Sequence, residues 1–416
     1  MDLNTICFLM FGFLFIGYLV LEGFDYGVGM ILPFLGKSDT ERQAIINTLA
    51  PVWEGNEVWL IAAGAVLFAG FPQVYATLFS GLYLALLLIV SSLIFRGVAF
   101  EFRNKDINHN WRKFWEWAIF FGGVIPALLW GIAVTNLLTG LPINGEMQYS
   151  GTFWDLLNPY TLFGGLAFVF AFLLHGAVYL TLRLDQQLIL RTRKMGLITG
   201  KYAMYIVVVF AILTFVYTDL TSKPIASGIL VASVLTLILC YRCLRDREYT
   251  KSFVCSTVAI FSMIAAMFVG LFPRFIVSSL DPNWSLTIYN SASNPLTLKI
   301  MTVTMAIVLP VVLVFEGWKY YIFRQRICVT EIGFKSRIKL WEQLHDKLEE
   351  LNKYYRITTI VLEKAKSTVE RGGSIQLDEM KHGSVTRQIF EFKALIQRGR
   401  QLMYIIAEKI KILRKS

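Results

Sequence analysis

Leu21-Glu22-Gly23-Phe24-Asp25-Tyr26-Gly27-Val28-Gly29-Met30 sets two carboxylates and three glycines inside an apolar block that runs from Ile6 to Leu35. A helix needs roughly 20 residues to cross about 30 Å of hydrocarbon, and this block is longer. Backbone polar groups in lipid have to be satisfied within the segment; a block of this length without period-two alternation does so as a helix. A spacing of three puts Glu22 and Asp25 on one face of that helix. An ionisable side chain at membrane depth costs at least about 2.5–3.5 kcal/mol on insertion, so both acids are functional candidates from the outset. The glycines allow a neighbouring helix to come close.

Outward from this block, comparable apolar stretches predict spans near 44–69, 75–97, 116–138, 160–182, 202–219, 225–243, 252–272 and 299–322. With the first, near 6–35, they make about nine transmembrane helices and an all-α integral membrane protein. The composition agrees: 56% of the 416 residues are hydrophobic and 17% charged, against about 45–50% and 25% in soluble domains. The first block lacks a basic leader, has the acidic Asp2, and shows no small-x-small site before Glu22. It is therefore expected to stay as a span rather than to act as a cleavable signal.

The net charge of +11 is not a nucleic-acid signature, because 331–416 alone holds 18 Lys or Arg against 11 Asp or Glu. Most remaining cations sit in alternate short connections. Arg96, Arg103, Lys105, Arg112 and Lys113 follow the third predicted span, Arg183, Arg191, Arg193 and Lys194 the fifth, and Arg242, Arg245, Arg247 and Lys251 the seventh. The intervening connections are poor in cations. The positive-inside rule then predicts cytoplasmic basic loops, an external N-terminus and a cytoplasmic tail.

A second pair of acids stands in Pro51-Val52-Trp53-Glu54-Gly55-Asn56-Glu57-Val58-Trp59. Asp25 precedes Gly36 by 11 residues and Glu54 follows Gln43 by 11, which at 1.5 Å per residue predicts similar depths, about 16 Å from one end of an antiparallel pair. Two carboxylates so placed could pass or store a proton. Glu101, just past the third span and beside Arg96 and Arg103, is where protons from the cytoplasm would arrive. Each acid also has a plain structural reading: Glu22 and Glu57 as neutral ties between helices, Glu101 as a solvated loop residue, Glu316 as a partner of Lys319. Cys240 and Cys243 form a C-x-x-C without a second pair to complete a tetrahedral site, so no metal centre is expected. Of four histidines only His175 falls in a span; it cannot build a multi-haem site and is expected to bond a neighbouring helix.

At these residues the sequence closely resembles the subunit II family of cytochrome bd quinol oxidases. The resemblance is carried by "EGFDYGVGM" (Glu22 to Met30), "DTERQAIINTLAPVWEGNEVWLI" (Asp39 to Ile61) and "FPQVYATLFSGLYLALLLIVSSLIFRGVAFEFR" (Phe71 to Arg103). It continues in "WRKFWEWAIFFGG" (Trp111 to Gly123), "LLNPYTLFGGL" (Leu156 to Leu166), "LRTR" (Leu190 to Arg193) and "SLTIYNSASNPLTLKIMTV" (Ser285 to Val303), and so covers roughly 1–325. It implies two four-helix bundles plus one peripheral helix, and a heterodimer in the bacterial cytoplasmic membrane. The partner, subunit I, would hold haem b and haem d and the quinol site. The complex would oxidise quinol and reduce dioxygen to water. A small single-span accessory subunit, bound lipids and a structural quinone are compatible with it. This chain would ligate no haem, add stability and offer protons a hydrophilic route from the cytoplasm. Position by position, Asp25 matches the family's first-helix acid. Glu54 stands where many members have Asp, and Glu101 where some do, each displaced by one methylene; His175 stands where others have Gln.

The stretch 331–416 lies outside that resemblance. Trp341, Leu344, Leu348, Leu351, Tyr355 and Leu362 keep heptad spacing. After Gly372-Gly373-Ser374 a second seam runs through Ile389, Phe392, Ile396, Met403, Ile406, Ile410 and Leu413. The pattern predicts a cytoplasmic antiparallel helical hairpin, with adsorption of its basic second helix to anionic lipid as an alternative. A competing reading of the whole chain is a proton-coupled transporter, which buried acids and glycine-rich helices also suit. No inverted repeat or matched pair of broken helices speaks for it.

Overall fold

Asp2 caps the first helix, its carboxylate accepting the Thr5 N–H at 2.8 Å, and α1 (Leu3–Leu35) then runs for 33 residues, about 50 Å at helical rise. The chain continues through α2 (Asp39–Leu49), α3 (Trp53–Gly70), α4 (Pro72–Gly81), α5 (Tyr83–Phe102), α6 (His109–Thr139) and α7 (Pro159–Arg183). It ends its first unit with α8 (Gln186–Tyr217), α9 (Pro224–Arg245), α10 (Tyr249–Leu271) and α11 (Pro295–Ile322). Proline opens α4, α7, α9 and α11, where its missing N–H removes no helical bond. The computed structural model describes residues 2–106, 108–370, 393–394 and 396–408, and divides into units 1–327 and 328–416.

Each predicted apolar block falls on a helix, but two are broken. The second is α2 followed by α3, bent by 41° around Pro51, which supplies no N–H to the ladder. The third is α4 followed by α5. Among the described residues, eight helices are long and apolar enough to cross a membrane, or nine when the bent pair counts as one span.

The hub of the first unit is α1, which packs on α3, α6, α7, α10 and α11. Its crossing with α7 is a backbone contact. A Cβ on Gly27 would meet the Phe172 carbonyl oxygen and stand 2.8 Å from Gly176 N and 2.9 Å from Gly176 Cα, so neither glycine admits a side chain. Around α7, α8, α9 and α10 contacts run from each helix to the next and from α10 back to α7. By contrast α11 is almost wholly exposed and leans on α1 and α3.

The two ends of the bundle differ in charge. At the basic end Arg103, buried, donates to Asp39 and Glu116, each at 2.7 Å, and to Gln43 at 2.8 Å. Arg42 reaches Glu116 at 2.9 Å and Arg112 reaches Asp39 at 2.6 Å, while Arg191 pairs with Glu41. This network ties α2 to α5, α6 and α8. At the other end, strand β1 (Arg274–Ile276) pairs antiparallel with β2 (Leu286–Thr287). There Ser278 Oγ donates to Ile143 O at 2.8 Å and Arg274 reaches Asp219 at 2.5 Å.

The second unit begins with α12 (Val329–Glu370), 42 residues long. Glu363 pairs with Lys393 at 2.5 Å, and Asn352 lies against Gly399 and Met403, so the helical residues 396–408 run antiparallel to α12. Ile406 is 3% exposed, whereas Leu344 and Leu351 of the expected seam face outward. Gly372, Gly373, Ser374, Ile389, Phe392, Ile410 and Leu413 lie outside the described residues, as do the side chains of Trp341 and Leu362.

Candidate functional site

Tyr18, Glu22, Asp25 and Tyr26 recur along α1 at helical spacing, and all four are buried where α1 meets its neighbours. Facing them from α5 is Arg96, also without solvent exposure. Its position corrects the expectation that it belongs to a connecting loop: α5 extends to Phe102. Room for Arg96 comes from α6, where a Cβ on Gly122 would stand 2.6 Å from Arg96 Cβ.

One nitrogen of Arg96 does the pairing. Nη2 donates to Glu22 Oε2 at 2.7 Å and to Glu57 Oε1 at 2.8 Å, with Glu57 26% exposed along its side chain. The guanidinium carbon lies 5.0 Å from the centre of the Tyr26 ring. Glu22 Oε1, Arg96 Nε and Arg96 Nη1 are buried and have no hydrogen-bond partner among the described residues. One cation therefore faces two carboxylates in low dielectric, with Asp25 a turn away on α1. Counted formally, three carboxylates then stand against one guanidinium.

Asp25 is held separately. Asn56 Nδ2 donates to Asp25 Oδ2 at 2.7 Å, and the Tyr320 hydroxyl of α11 donates to Asn56 Oδ1 at 2.7 Å. Next to Tyr320, Lys319 pairs with Glu316 at 2.6 Å, as the plain reading of Glu316 expected. On the other side of Glu22 the hydroxyls of Tyr18 and Tyr26 hydrogen-bond each other, and Trp130 Nε1 donates to Tyr18 at 3.2 Å.

Glu54 and Glu101 do not join this cluster. Glu54 lies in the first turn of α3, after the bend, and is exposed; Glu101 is exposed in the last turn of α5. Neither has an ion pair or hydrogen bond among the described residues. The arginines expected beside Glu101 are engaged elsewhere, Arg96 with Glu22 and Glu57, Arg103 with Asp39 and Glu116. The bend at Pro51 breaks the straight helix that the depth estimate assumed, yet Asn56, two residues past Glu54, bonds Asp25 at 2.7 Å, so Glu54 and Asp25 do lie at similar depth, with Glu54 turned outward. Sequence reasoning missed Asn56, Tyr320 and the role of Arg96. A signal existed for two of them: Asn56 stands between the acids of "WEGNEVW", and Arg96 interrupts the apolar run "LLLIVSSLIF".

His175, the one histidine inside a predicted span, is already engaged on both ring nitrogens. His175 is buried with Nε2 3.2 Å from Val20 O and Nδ1 2.7 Å from Ser256 Oγ. The carbonyl requires the proton on Nε2, so Nδ1 accepts from the serine. The Phe253 ring stacks on the imidazole at 5.1 Å and 8°. With both nitrogens bonded in this way, His175 offers no free lone pair to a metal.

Comparison with known proteins bears on this geometry. The family model described as cytochrome bd terminal oxidase subunit II matches residues 3–323. The cytochrome bd ubiquinol oxidase subunit 2 of Bacillus subtilis (strain 168) is 36% identical over 332 residues, 79% of this chain and 98% of that protein. The cytochrome bd-I ubiquinol oxidase subunit 2 of Escherichia coli (strain K12) is 35% identical over 365 residues, 79% of this chain and 96% of that protein. Among solved structures, a chain of the bd oxidase from Geobacillus thermodenitrificans superposes with a TM-score of 0.57 at 19% identity, covering 77% of this chain and 99% of that one. That likeness is one of fold.

Proposed function

The chain belongs to the cytochrome bd terminal oxidase subunit II family, and from that premise we propose that it is the second, haem-free subunit of a membrane quinol oxidase and supplies a buried proton-holding station centred on Asp25. The haem groups and the quinol site then belong to a partner subunit I, and the basic end of the bundle faces the cytoplasm, a reading that the distribution of Lys and Arg supports. Family membership leaves the transporter reading without support.

The observation that carries the station is the environment of Arg96: a fully buried guanidinium bonded to Glu22 and Glu57, with Asp25 close enough to interact electrostatically with all three. Glu22 and Glu57 are the fixed counter-ions of Arg96, and Asp25, held through one oxygen only, is the group free to change its proton content. Glu101, exposed in the last turn of α5, and Glu54, exposed on α3 two residues before Asn56, are the outer carboxylates from which protons reach it. The 331–416 extension is accessory and takes no part in turnover.

The test is oxygen consumption and haem content of the purified complex carrying Asp25→Asn. Retained haem with turnover down tenfold or more, about 1.4 kcal/mol in barrier, is the expected result. Retained haem with unchanged turnover would reduce the cluster to a structural tie.

A further inference from the structure

Asn56 stands between Asp25 and Tyr320, and while Asp25 is ionised each of its contacts has one sense. An amide donates through nitrogen and accepts through oxygen. The Tyr320 hydroxyl donates to Asn56 Oδ1 at 2.7 Å, so Asn56 Nδ2 points at Asp25 Oδ2, also at 2.7 Å. The reversed amide would set its oxygen against a carboxylate oxygen. Asp25 Oδ2 is thus kept as an acceptor, while Oδ1 is buried and accepts from no group among the described residues. The three residues come from three helices, α1, α3 and α11, and Asp25 and Asn56 are completely buried. The last of these helices has little other contact with the bundle, so this chain of bonds is a principal polar link between α11 and the site.

We propose that Asn56 and Tyr320 are positioning residues for Asp25, locking one carboxylate oxygen so that the proton is taken up and released at the other. The proposal rests on the reading of Asp25 as a proton station and adds to it which oxygen works and what holds it. An amide relays protons poorly, so Asn56 is a brace and not a link in a proton wire. Without Tyr320 to hold it, the Asn56 amide can turn its oxygen to Asp25 and accept from a protonated Oδ2, so the proton rests on the wrong oxygen and each turnover waits for the amide to turn back. The charged and titratable groups facing Asp25 are Glu22 on α1, Glu57 on α3, Arg96 on α5, Tyr179 on α7 and Lys319 and Tyr320 on α11. All of them remain in Asn56→Ala, and all but the Tyr320 hydroxyl remain in Tyr320→Phe.

The experiment compares complexes carrying Tyr320→Phe, Asn56→Ala and Asp25→Asn, each with haem content verified. Turnover is measured against pH, and the infrared difference band of the Asp25 carboxyl is identified by its loss in Asp25→Asn. Tyr320→Phe deletes one hydroxyl and keeps the ring that packs on Phe24. Its expected result is turnover reduced about threefold or more, a pH profile moved by about half a unit toward higher pH because the ionised carboxylate loses support, and a displaced carboxyl band. Asn56→Ala shows the same changes enlarged. A Tyr320→Phe profile and band that superpose on wild type overturn the proposal while leaving Asp25 in place as the station. Full turnover in Asp25→Asn overturns the station itself and the brace with it. If Asn56→Ala fails to assemble, Tyr320→Phe decides alone.

Discussion

Arg96 Nη2 lies 2.7 Å from Glu22 Oε2, and neither side chain has any solvent exposure. A pair in that condition gains little by being formed but costs much when half of it is removed, because the survivor keeps its charge without its partner. Arg96→Met strands Glu22 and, in part, Glu57. Thermal unfolding of the purified complex should show a loss of roughly 3–5 kcal/mol. Glu22→Gln leaves Arg96 its bond to Glu57 and should cost less. Adding Glu22→Gln to Arg96→Met should recover part of the loss. A double variant less stable than Arg96→Met alone would mean that the pair is not the interaction that matters.

Glu54→Gln and Glu101→Gln should behave unlike Asp25→Asn. Both acids are exposed and make no bond among the described residues, so each change should leave stability within about 0.5 kcal/mol. Because exposed carboxylates can stand in for one another as proton donors, each single change should lower oxygen consumption less than threefold, and the pair together more. Proton-uptake rates of the three variants separate the cases. No change in the double variant would exclude these two acids from the proton route.

The contrast between these acids marks what the sequence disclosed. Spans were legible because an apolar block that must cross lipid has little choice of structure, and Glu22 and Asp25 stood out because charge there is rare. The bend was not foreseen, although Pro51 was in plain view, since a proline tells of a broken bond and not of the angle that packing selects. Arg96 was misplaced for a related reason: a cation at the edge of an apolar run looks like a loop residue until its carboxylates are known to lie on two other helices. Asn56 and Tyr320 are 264 residues apart, and no spacing rule connects them.

Gly27 offers a test of packing that is independent of charge. A single methyl there would overlap the Phe172 carbonyl and sit within 3 Å of Gly176 backbone, and backbone in a helix cannot step aside as a side chain can. Gly27→Ala should therefore displace α1 from α7 and destabilise the complex by about 1–3 kcal/mol, seen as lower yield of intact complex and a lower melting temperature. Gly64, which has nothing within 4 Å of its would-be Cβ, is the control: Gly64→Ala should be neutral or slightly stabilising.

His175 offers a test of the haem-free reading of this chain. Its ring joins α7 to Val20 of α1 and Ser256 of α10, and Phe253 covers one face. In His175→Leu the serine hydroxyl, released from the imidazole, can donate instead to Phe253 O, 2.9 Å away, and Val20 O remains inside a helix where the backbone can serve it. The loss of stability should therefore fall near the low end of the roughly 1–3 kcal/mol that an unsatisfied buried group costs. Haem per complex, read from the pyridine haemochrome and the reduced-minus-oxidised spectrum, should equal wild type. Loss of one haem equivalent with the complex intact would place an iron against His175 and overturn the haem-free assignment of this subunit.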